Sequence, residues 1–104
     1  MDIRKFKEGE DKWVSTHYVS CFFATGEKIE RAFGEPSYSE RWDGEKVQNE
    51  WQFMVDGHMV TIYDWKEYRI YDWDETLEWH IGSDCDDRDF IDSVKAEIEK
   101  RVNG

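Results

Sequence analysis

The dipeptide Asp56-Gly57 constrains the fold more than any other feature, because the residues on both sides of it alternate in character. Asp-Gly favours a two-residue hairpin turn of type I′, in which both central residues have positive φ. Such a turn fixes the strand register and places on one face the pairs Val55–His58, Phe53–Val60 and Trp51–Ile62. Most of these side chains are apolar, so the turn chemistry and the hydrophobic pattern independently predict the same antiparallel hairpin.

The opposite face of this hairpin has a mixed character. It carries the pairs Glu50–Tyr63, Gln52–Thr61 and Met54–Met59, with Trp65 beyond them. Such a mixture is typical of the exposed or ligand-facing side of an antiparallel sheet.

One more strand and a short helix precede the hairpin. The segment Trp13–Thr25 is rich in β-branched and aromatic residues and predicts a strand. Strict alternation places Val19, Cys21 and Phe23 on one face and Tyr18, Ser20 and Phe22 on the other. Thr25 is then a suitable N-cap for a helix. The apolar stripe of that helix is Ile29, Ala32 and Phe33, and Gly34 and Pro36 end it.

The C-terminal part predicts a last strand and a final helix. Apolar Leu77, Trp79 and Ile81 alternate with Glu78 and His80, and Gly82 ends the strand. The candidates for the N-cap of the helix are Asp84, Asp86 and Asp87. Its buried stripe is Ile91, Val94, Ile98 and Val102.

These elements predict an α+β domain of order β-α-β-β-(β)-β-α, with helices packed on an antiparallel sheet of about four strands. The short helix follows the first strand, and the second helix is C-terminal. We expect residues 1–12 to form a polar N-terminal arm or a short lead-in helix. Residues 13–104 are expected to form a single domain.

A small internal repeat follows the hairpin. Ile62-Tyr63-Asp64-Trp65 recurs eight residues later as Ile70-Tyr71-Asp72-Trp73. The sequence does not decide whether the second Tyr-Asp-Trp is a strand or a loop. It also leaves open whether Trp65 and Trp73 belong to the core or to an interface.

Charge narrows the classes of partner. The chain carries 25 acidic and 14 basic side chains, a formal net charge of −11. Such a charge repels nucleic acid and acidic membranes and favours basic partners. No segment approaches the roughly 20 apolar residues of a membrane span. We therefore expect a cytoplasmic protein that binds neither nucleic acid nor a membrane, with Cys21 and Cys85 as reduced thiols.

Motifs for catalysis and for cofactors are missing from the sequence. It contains no phosphate-binding glycine loop, no GxSxG, no HExxH and no paired CxxC. The acidic run Asp84–Asp89 is not an EF-hand, because Asp89 and Lys95 stand where glycine and glutamate are needed. Its acids suit a helix N-terminus instead. The three histidines and two cysteines lack zinc-finger spacing.

An acid–base pair could be assembled from Glu50, Asp64, Glu78 and His80, although any acidic sheet offers such pairs. We expect no enzymatic activity, no metal and no cofactor.

Acidic and aromatic side chains are concentrated between Asp64 and Asp89. This segment holds ten acids and three bases, a charge of −7 in 26 residues. Trp and Tyr are common anchors at protein interfaces, and carboxylates around them complement Arg and Lys of a partner. The predicted protein-binding residues are Asp64, Trp65, Tyr71, Asp72, Trp73, Asp74, Glu75 and Glu78. The competing interpretation is that Trp65, Trp73 and Trp79 fill the core, with the acids outside.

A second hypothesis is a small-molecule site, in which an oligomer sequesters a nucleotide immune signal between aromatic rings. The ligand-binding residues would be Tyr63, Trp65, Lys66, Arg69 and Tyr71. Arg41 and Lys46 would also have to meet the phosphates. A structural or regulatory accessory domain is a third hypothesis, which needs no special site.

Several segments resemble small uncharacterised proteins of bacteriophages and other viruses. They are Phe33-Gly34-Glu35-Pro36, Glu50-Trp51, Asp56-Gly57, Val60-Thr61-Ile62-Tyr63-Asp64-Trp65-Lys66 and Trp79-His80-Ile81-Gly82. The resemblance runs from Tyr18 to Val94 and implies a phage accessory gene, with no catalytic residues to transfer. By analogy with small acidic phage proteins, it implies a counter-defence inhibitor that binds a basic surface of a host immunity protein, like an anti-CRISPR or a nucleic-acid mimic. The sequence leaves the partner and the oligomeric state open, and a homo-oligomer is compatible with it.

Overall fold

A computed structural model describes residues 3–5, 16–39, 49–65 and 71–104, with the backbone alone for residues 38 and 39. Over these residues the elements are β1 (Ile3–Lys5), β2 (His17–Thr25), α1 (Gly26–Phe33), β3 (Tyr38–Ser39), β4 (Asn49–Val55), β5 (His58–Tyr63), β6 (Thr76–Ser83) and α2 (Arg88–Asn103). The strands form one antiparallel sheet in the order β1-β4-β5-β6-β2, and β3 pairs with β4 beside β1. The predicted α+β class, with a helix after the long first strand and a C-terminal helix, is confirmed.

The hairpin of β4 and β5 has the predicted register. Val55 pairs with His58, Phe53 with Val60, and Trp51 with Ile62. Asp56 and Gly57 have φ of 49° and 86°, both positive as a type I′ turn requires.

The core lies between the sheet and the two helices. The side chains that alternation assigns to one face of β4, β5 and β6 are buried there, among them Trp51, Phe53, Ile62, Trp79 and Ile81. Val94, Ile98 and Val102 of the predicted α2 stripe belong to the same cluster, together with Ile29 of α1, and Ile91 of the stripe is also buried. Large aromatic side chains bury much area each, which suits a chain of this length.

The two buried indoles also satisfy their N–H groups. Trp51 donates to the carbonyl of Gly34 at 2.8 Å, and Trp79 donates to the carbonyl of Ala24 at 3.0 Å. An unpaired N–H in the core would cost stability, so these bonds fix the orientation of both rings.

Both helices begin with a local capping signal, and α1 also ends with one. The Thr25 hydroxyl accepts from the Lys28 amide at 3.1 Å, and α1 ends at Gly34 with φ 84°. Of the three candidate caps of α2, Asp87 is the one that accepts from the first-turn amides, those of Asp89 and Phe90.

Two strand predictions require correction. Gly82 does not end the last strand, because β6 continues to Ser83 and Gly82 pairs with Thr61 on one side and Tyr18 on the other. Ile3–Lys5, within the predicted polar arm, forms β1 against the end of β4. The other residues of that arm lie outside the described residues.

The predicted alternation along β2 is also wrong at its start. The pairing with β6 shifts between Tyr18 and Ser20, so that Val19 is an extra residue, a β-bulge. As a result Tyr18 lies on the same face as Cys21 and Phe23, whereas Phe22 and Ala24 point into the core.

The second copy of the repeat is not a strand. Tyr71, Asp72 and Trp73 belong to the loop that leads into β6, and Ile70 lies outside the described residues.

Candidate protein-binding face

The sheet face opposite the helices is called here the open face. It carries the side chains that could take part in binding or in proton transfer. One row crosses four strands: Cys21 on β2 pairs with His80 on β6, His80 with Tyr63 on β5, and Tyr63 with Glu50 on β4. Because paired residues of neighbouring strands point to the same side, these four side chains are neighbours. Within the described residues, both helices contribute their buried side chains to the other face.

Aromatic rings cluster around this row. Tyr18 lies edge-on to His80 with ring centroids 4.7 Å apart, and Tyr63 lies edge-on to the same ring at 5.6 Å. Trp65 is stacked on His80 at 6.1 Å and is nearly perpendicular to Tyr63 at 6.2 Å. Phe23 lies on the next row, opposite Glu78. We call Tyr18, Phe23, Tyr63, Trp65 and His80 the aromatic face.

Three of these rings are exposed to an unusual degree. Phe23 is 68%, Tyr18 53% and Trp65 39% exposed. Large apolar side chains that are exposed close together mark interaction sites more often than isolated ones do.

Two carboxyl groups border the aromatic face. The half-exposed Glu78 carboxylate lies 3.3 Å from Nε2 of His80. Glu50 lies across Tyr63 and accepts a 2.7 Å hydrogen bond from the side-chain amide of Gln52.

The surroundings of Glu50 disfavour its charge. Burial raises the pKa of its carboxyl group, the nearby Asp64 adds to this effect, and the bond from Gln52 opposes it. Burial also raises the pKa of Tyr63, with repulsion from Glu50 as the second cause. On the same face, the pKa of the Tyr18 hydroxyl is raised, mainly by its hydrogen bond with Cys21.

A buried polar network lies on the helix side of the sheet, at the end of β4 that carries Glu50. Asp64, fully buried, accepts from the Asn49 amide at 3.1 Å and from the Tyr71 hydroxyl at 2.6 Å. The side-chain amide of Asn49 donates to the Tyr71 oxygen at 2.8 Å. The network explains why Asn49 and Asp64 interrupt the apolar pattern, since buried polar groups require such partners.

The eight predicted protein-binding residues fall into three groups. Trp65 and Glu78 lie on the open face. Asp72, Asp74 and Glu75 lie in the loop before β6, where Asp72 and Asp74 are exposed and Glu75 is half-buried. Asp64 and Tyr71 are buried, so they are not available to a partner in this conformation, and Trp73 is partly buried against the core.

The two tryptophans of the repeat therefore have different environments. Trp73 is stacked on Trp51 with ring centroids 6.1 Å apart and donates its indole N–H to Glu30 at 2.8 Å. Its ring covers Gly26 so closely that an added Cβ would lie 2.7 Å from it. Trp73 thus packs on the core, whereas Trp65 is on the surface.

The described residues of the nucleotide hypothesis do not share one face. Tyr63 and Trp65 share the open face, but Tyr71 is buried on the helix side, where its ring lies edge-on to Trp79 at 6.3 Å. Lys66 and Arg69 lie outside the described residues. Of the acid–base candidates, Glu78 contacts His80 on the open face, Glu50 shares that face beyond Tyr63, and Asp64 is held in the buried network.

Sequence reasoning missed Tyr18, Phe23 and His80 as members of a surface cluster. Alternation placed Tyr18 and Phe23 on opposite faces of β2, and only the bulge at Val19 brings them together. The pairing of Glu50 with Tyr63, in contrast, was predicted from the turn.

Comparison with known proteins gives no guide to the role of this face. No protein-family model matches the chain. No curated protein matches it either.

In the described part of the chain, no helix is long and apolar enough to cross a membrane. Nor do the described His, Cys, Asp and Glu residues form a group of three or more that could hold a metal ion. Cys21 and Cys85 are both free thiols.

Proposed function

We propose that this protein is a non-enzymatic binding protein that docks its open face onto a basic surface of another protein. The observation that carries the proposal is the exposure of Tyr18, Phe23 and Trp65 on one face beside the carboxylate of Glu78. Aromatic side chains supply buried area at an interface, and the carboxylates supply complementarity to Arg and Lys.

The loop before β6 carries further acids. They are Asp72, Asp74 and Glu75, which lie three to six residues before Glu78 in the chain. In our proposal they attract a basic partner at a distance and add little short-range contact.

We further propose the biological setting that the phage resemblance implies. The protein would act in the cytosol of the host cell as a counter-defence inhibitor, and its partner would be a host immunity protein with a surface suited to nucleic acid. The net charge of −11 supports this setting, because a surface that attracts phosphates also attracts carboxylates.

Charge reversal tests the proposed function. The partner is first captured from host lysate with the wild-type protein and identified by mass spectrometry, and binding is then measured with purified components. Glu78→Lys should weaken binding about tenfold at low salt, and the difference should shrink at about 0.5 M NaCl. Asp92→Lys is the matched control, because Asp92 is an exposed acid on α2. Equal effects of both variants, or binding that ignores salt, would contradict the proposal.

A thermal-shift screen with cyclic and linear nucleotides separates this function from nucleotide sequestration. A ligand that binds the folded state raises the melting temperature. We expect no shift, because the described aromatic residues of that hypothesis lie on different faces of the sheet. A clear shift that Tyr63→Leu abolishes would favour the nucleotide site instead.

A further inference from the structure

We propose that the open face is a receptor for one arginine side chain of the basic partner, with the guanidinium stacked on Trp65 and hydrogen-bonded to Glu78. This inference rests on the proposed function and names the group that the surface recognises. It follows from the ring geometry, from the carboxylates at the edge of the rings and from the positions of the basic residues.

The rings form a site that suits a cation. A cation is attracted to an aromatic face when it lies within about 6 Å of the ring centroid. Tyr63, Trp65 and His80 have mutual centroid distances of 5.6, 6.1 and 6.2 Å. A cation over the exposed side of Trp65 is attracted by that ring. Tyr63 stands nearly perpendicular to Trp65, with its ring centroid 6.2 Å away.

Two carboxyl groups share the open face with these rings. Glu78 touches His80, the ring on which Trp65 is stacked. Glu50 lies on the other side of Tyr63 and is a half-buried acid. A guanidinium can bond one carboxylate with two N–H groups while its plane rests on an indole.

The described residues of the sheet place no Lys or Arg beside these carboxylates. The strand partners of His80 are Cys21 and Tyr63. Arg4 of β1 shares the open face, but it lies opposite Met54, four residues along β4 from Glu50. At the rise of a strand, that separation is about 13 Å. The carboxylates and exposed rings of this end of the face are complementary to a cation from a partner.

Arginine fits better than lysine for a physical reason. The guanidinium is planar, stacks on aromatic rings and is more weakly hydrated than an ammonium group. The ammonium of lysine would keep more of its water and could not make the two parallel bonds to Glu78.

Paired peptides test this inference. Tri-arginine and tri-lysine peptides of equal charge are titrated into the ¹⁵N-labelled protein at low salt, and the indole N–H signal of Trp65 is followed by NMR. We expect the arginine peptide to bind about fivefold more tightly and to shift the Trp65 signal most.

Trp65→Leu and Glu78→Gln should each make the two affinities equal. Trp65→Phe keeps an aromatic platform and should retain part of the preference, whereas Asp72→Asn should retain all of it.

The outcomes separate this inference from the function on which it rests. Equal affinities for both peptides in the wild-type protein, with binding still lost in Glu78→Lys, would overturn the arginine site and leave a basic-partner function standing. Absence of binding by either peptide would count against both. A preference for arginine that survives Trp65→Leu and Glu78→Gln would also overturn the site, because the recognition would then lie elsewhere.

Discussion

At the scale of single residues, two aspartates in identical sequence surroundings have opposite roles. Asp64 and Asp72 occupy the same place in the repeated Ile-Tyr-Asp-Trp. Asp64 is fully buried and accepts from Asn49 and Tyr71, whereas the side chain of Asp72 is exposed. Asp64 therefore has a structural role in the buried network, whereas the exposed side chain of Asp72 does not.

We expect Asp64→Ala to lower the free energy of unfolding by about 2–4 kcal/mol, because it leaves buried donors of Asn49 and Tyr71 without their acceptor. Asp72→Ala, the matched control, should change it by less than about 0.5 kcal/mol. Urea denaturation of both variants checks this. Similar losses in the two proteins would contradict the assignment.

Glu50 makes stability depend on pH. Its pKa is raised above the ordinary 4.5 in the folded state, first by burial, so the folded protein binds this proton more tightly than the unfolded chain does. The contribution of Glu50 to stability therefore falls as the pH rises from 4.5 through the raised pKa, and the ionised group is a cost above it.

We expect Glu50→Gln to be more stable than the wild type at about pH 7 and equal to it at about pH 3.5, where both side chains are neutral. The amide oxygen of Gln can still accept the bond from Gln52. Denaturant unfolding at the two pH values measures the difference. Glu78→Gln is the control and should alter stability little at either pH, because Glu78 is half-exposed. A destabilised Glu50→Gln at neutral pH would show that the ionised form is favoured.

At the scale of elements, the hairpin turn needs glycine at position 57 for its positive φ and not for lack of space. Gly57 has φ 86°, and a Cβ built on it meets no atom within 4 Å. Any loss of stability in Gly57→Ala therefore comes from the positive φ, and we expect the free energy of unfolding to fall by about 1–2 kcal/mol. Gly57→Asn should lose less, since Asn tolerates positive φ. Thermal or urea unfolding of the two variants checks the order. An equal loss in both would point to a cause other than φ.

Elements with local signals were predictable from the sequence, and elements set by distant partners were not. The turn at Asp56-Gly57 and the cap at Thr25 depend on neighbouring residues, so the hairpin and α1 agree with the prediction. Strand β1 is three residues of mixed character whose pairing is decided by the edge of β4. In the Asn49–Asp64–Tyr71 network, Asp64 is 15 residues and Tyr71 is 22 residues from Asn49 in the chain. No periodic pattern in the sequence predicts contacts at these separations.

The candidate site was only partly predictable for a related reason. Trp65 is exposed on the open face and Trp73 packs on the core, although the repeat gives the two tryptophans equivalent sequence neighbours. The mixed face of the hairpin was visible in the register, but its aromatic extension onto β2 depends on the bulge.

At the scale of the whole molecule, the net charge of −11 opposes compaction. Self-repulsion of this kind weakens as salt screens it. We expect the free energy of unfolding at neutral pH to rise by about 1 kcal/mol between about 0.02 and 0.5 M NaCl. Replacing Asp72, Asp74 and Glu75 with their amides should reduce this salt response. A fall in stability with NaCl would mean that attractive surface ion pairs outweigh the repulsion.

The bulge at Val19 has a consequence for changes in chain length. Because Val19 is the extra residue, a chain without it could keep Ser20 opposite Ile81 and Tyr18 opposite Gly82. Loss of one residue between Ser20 and Thr25 would instead turn every side chain on one side of the gap to the other face. In diverging copies of this gene, β2 can therefore shorten by one codon at Val19 and keep its surface, whereas a deletion a few codons later would exchange that surface for the core.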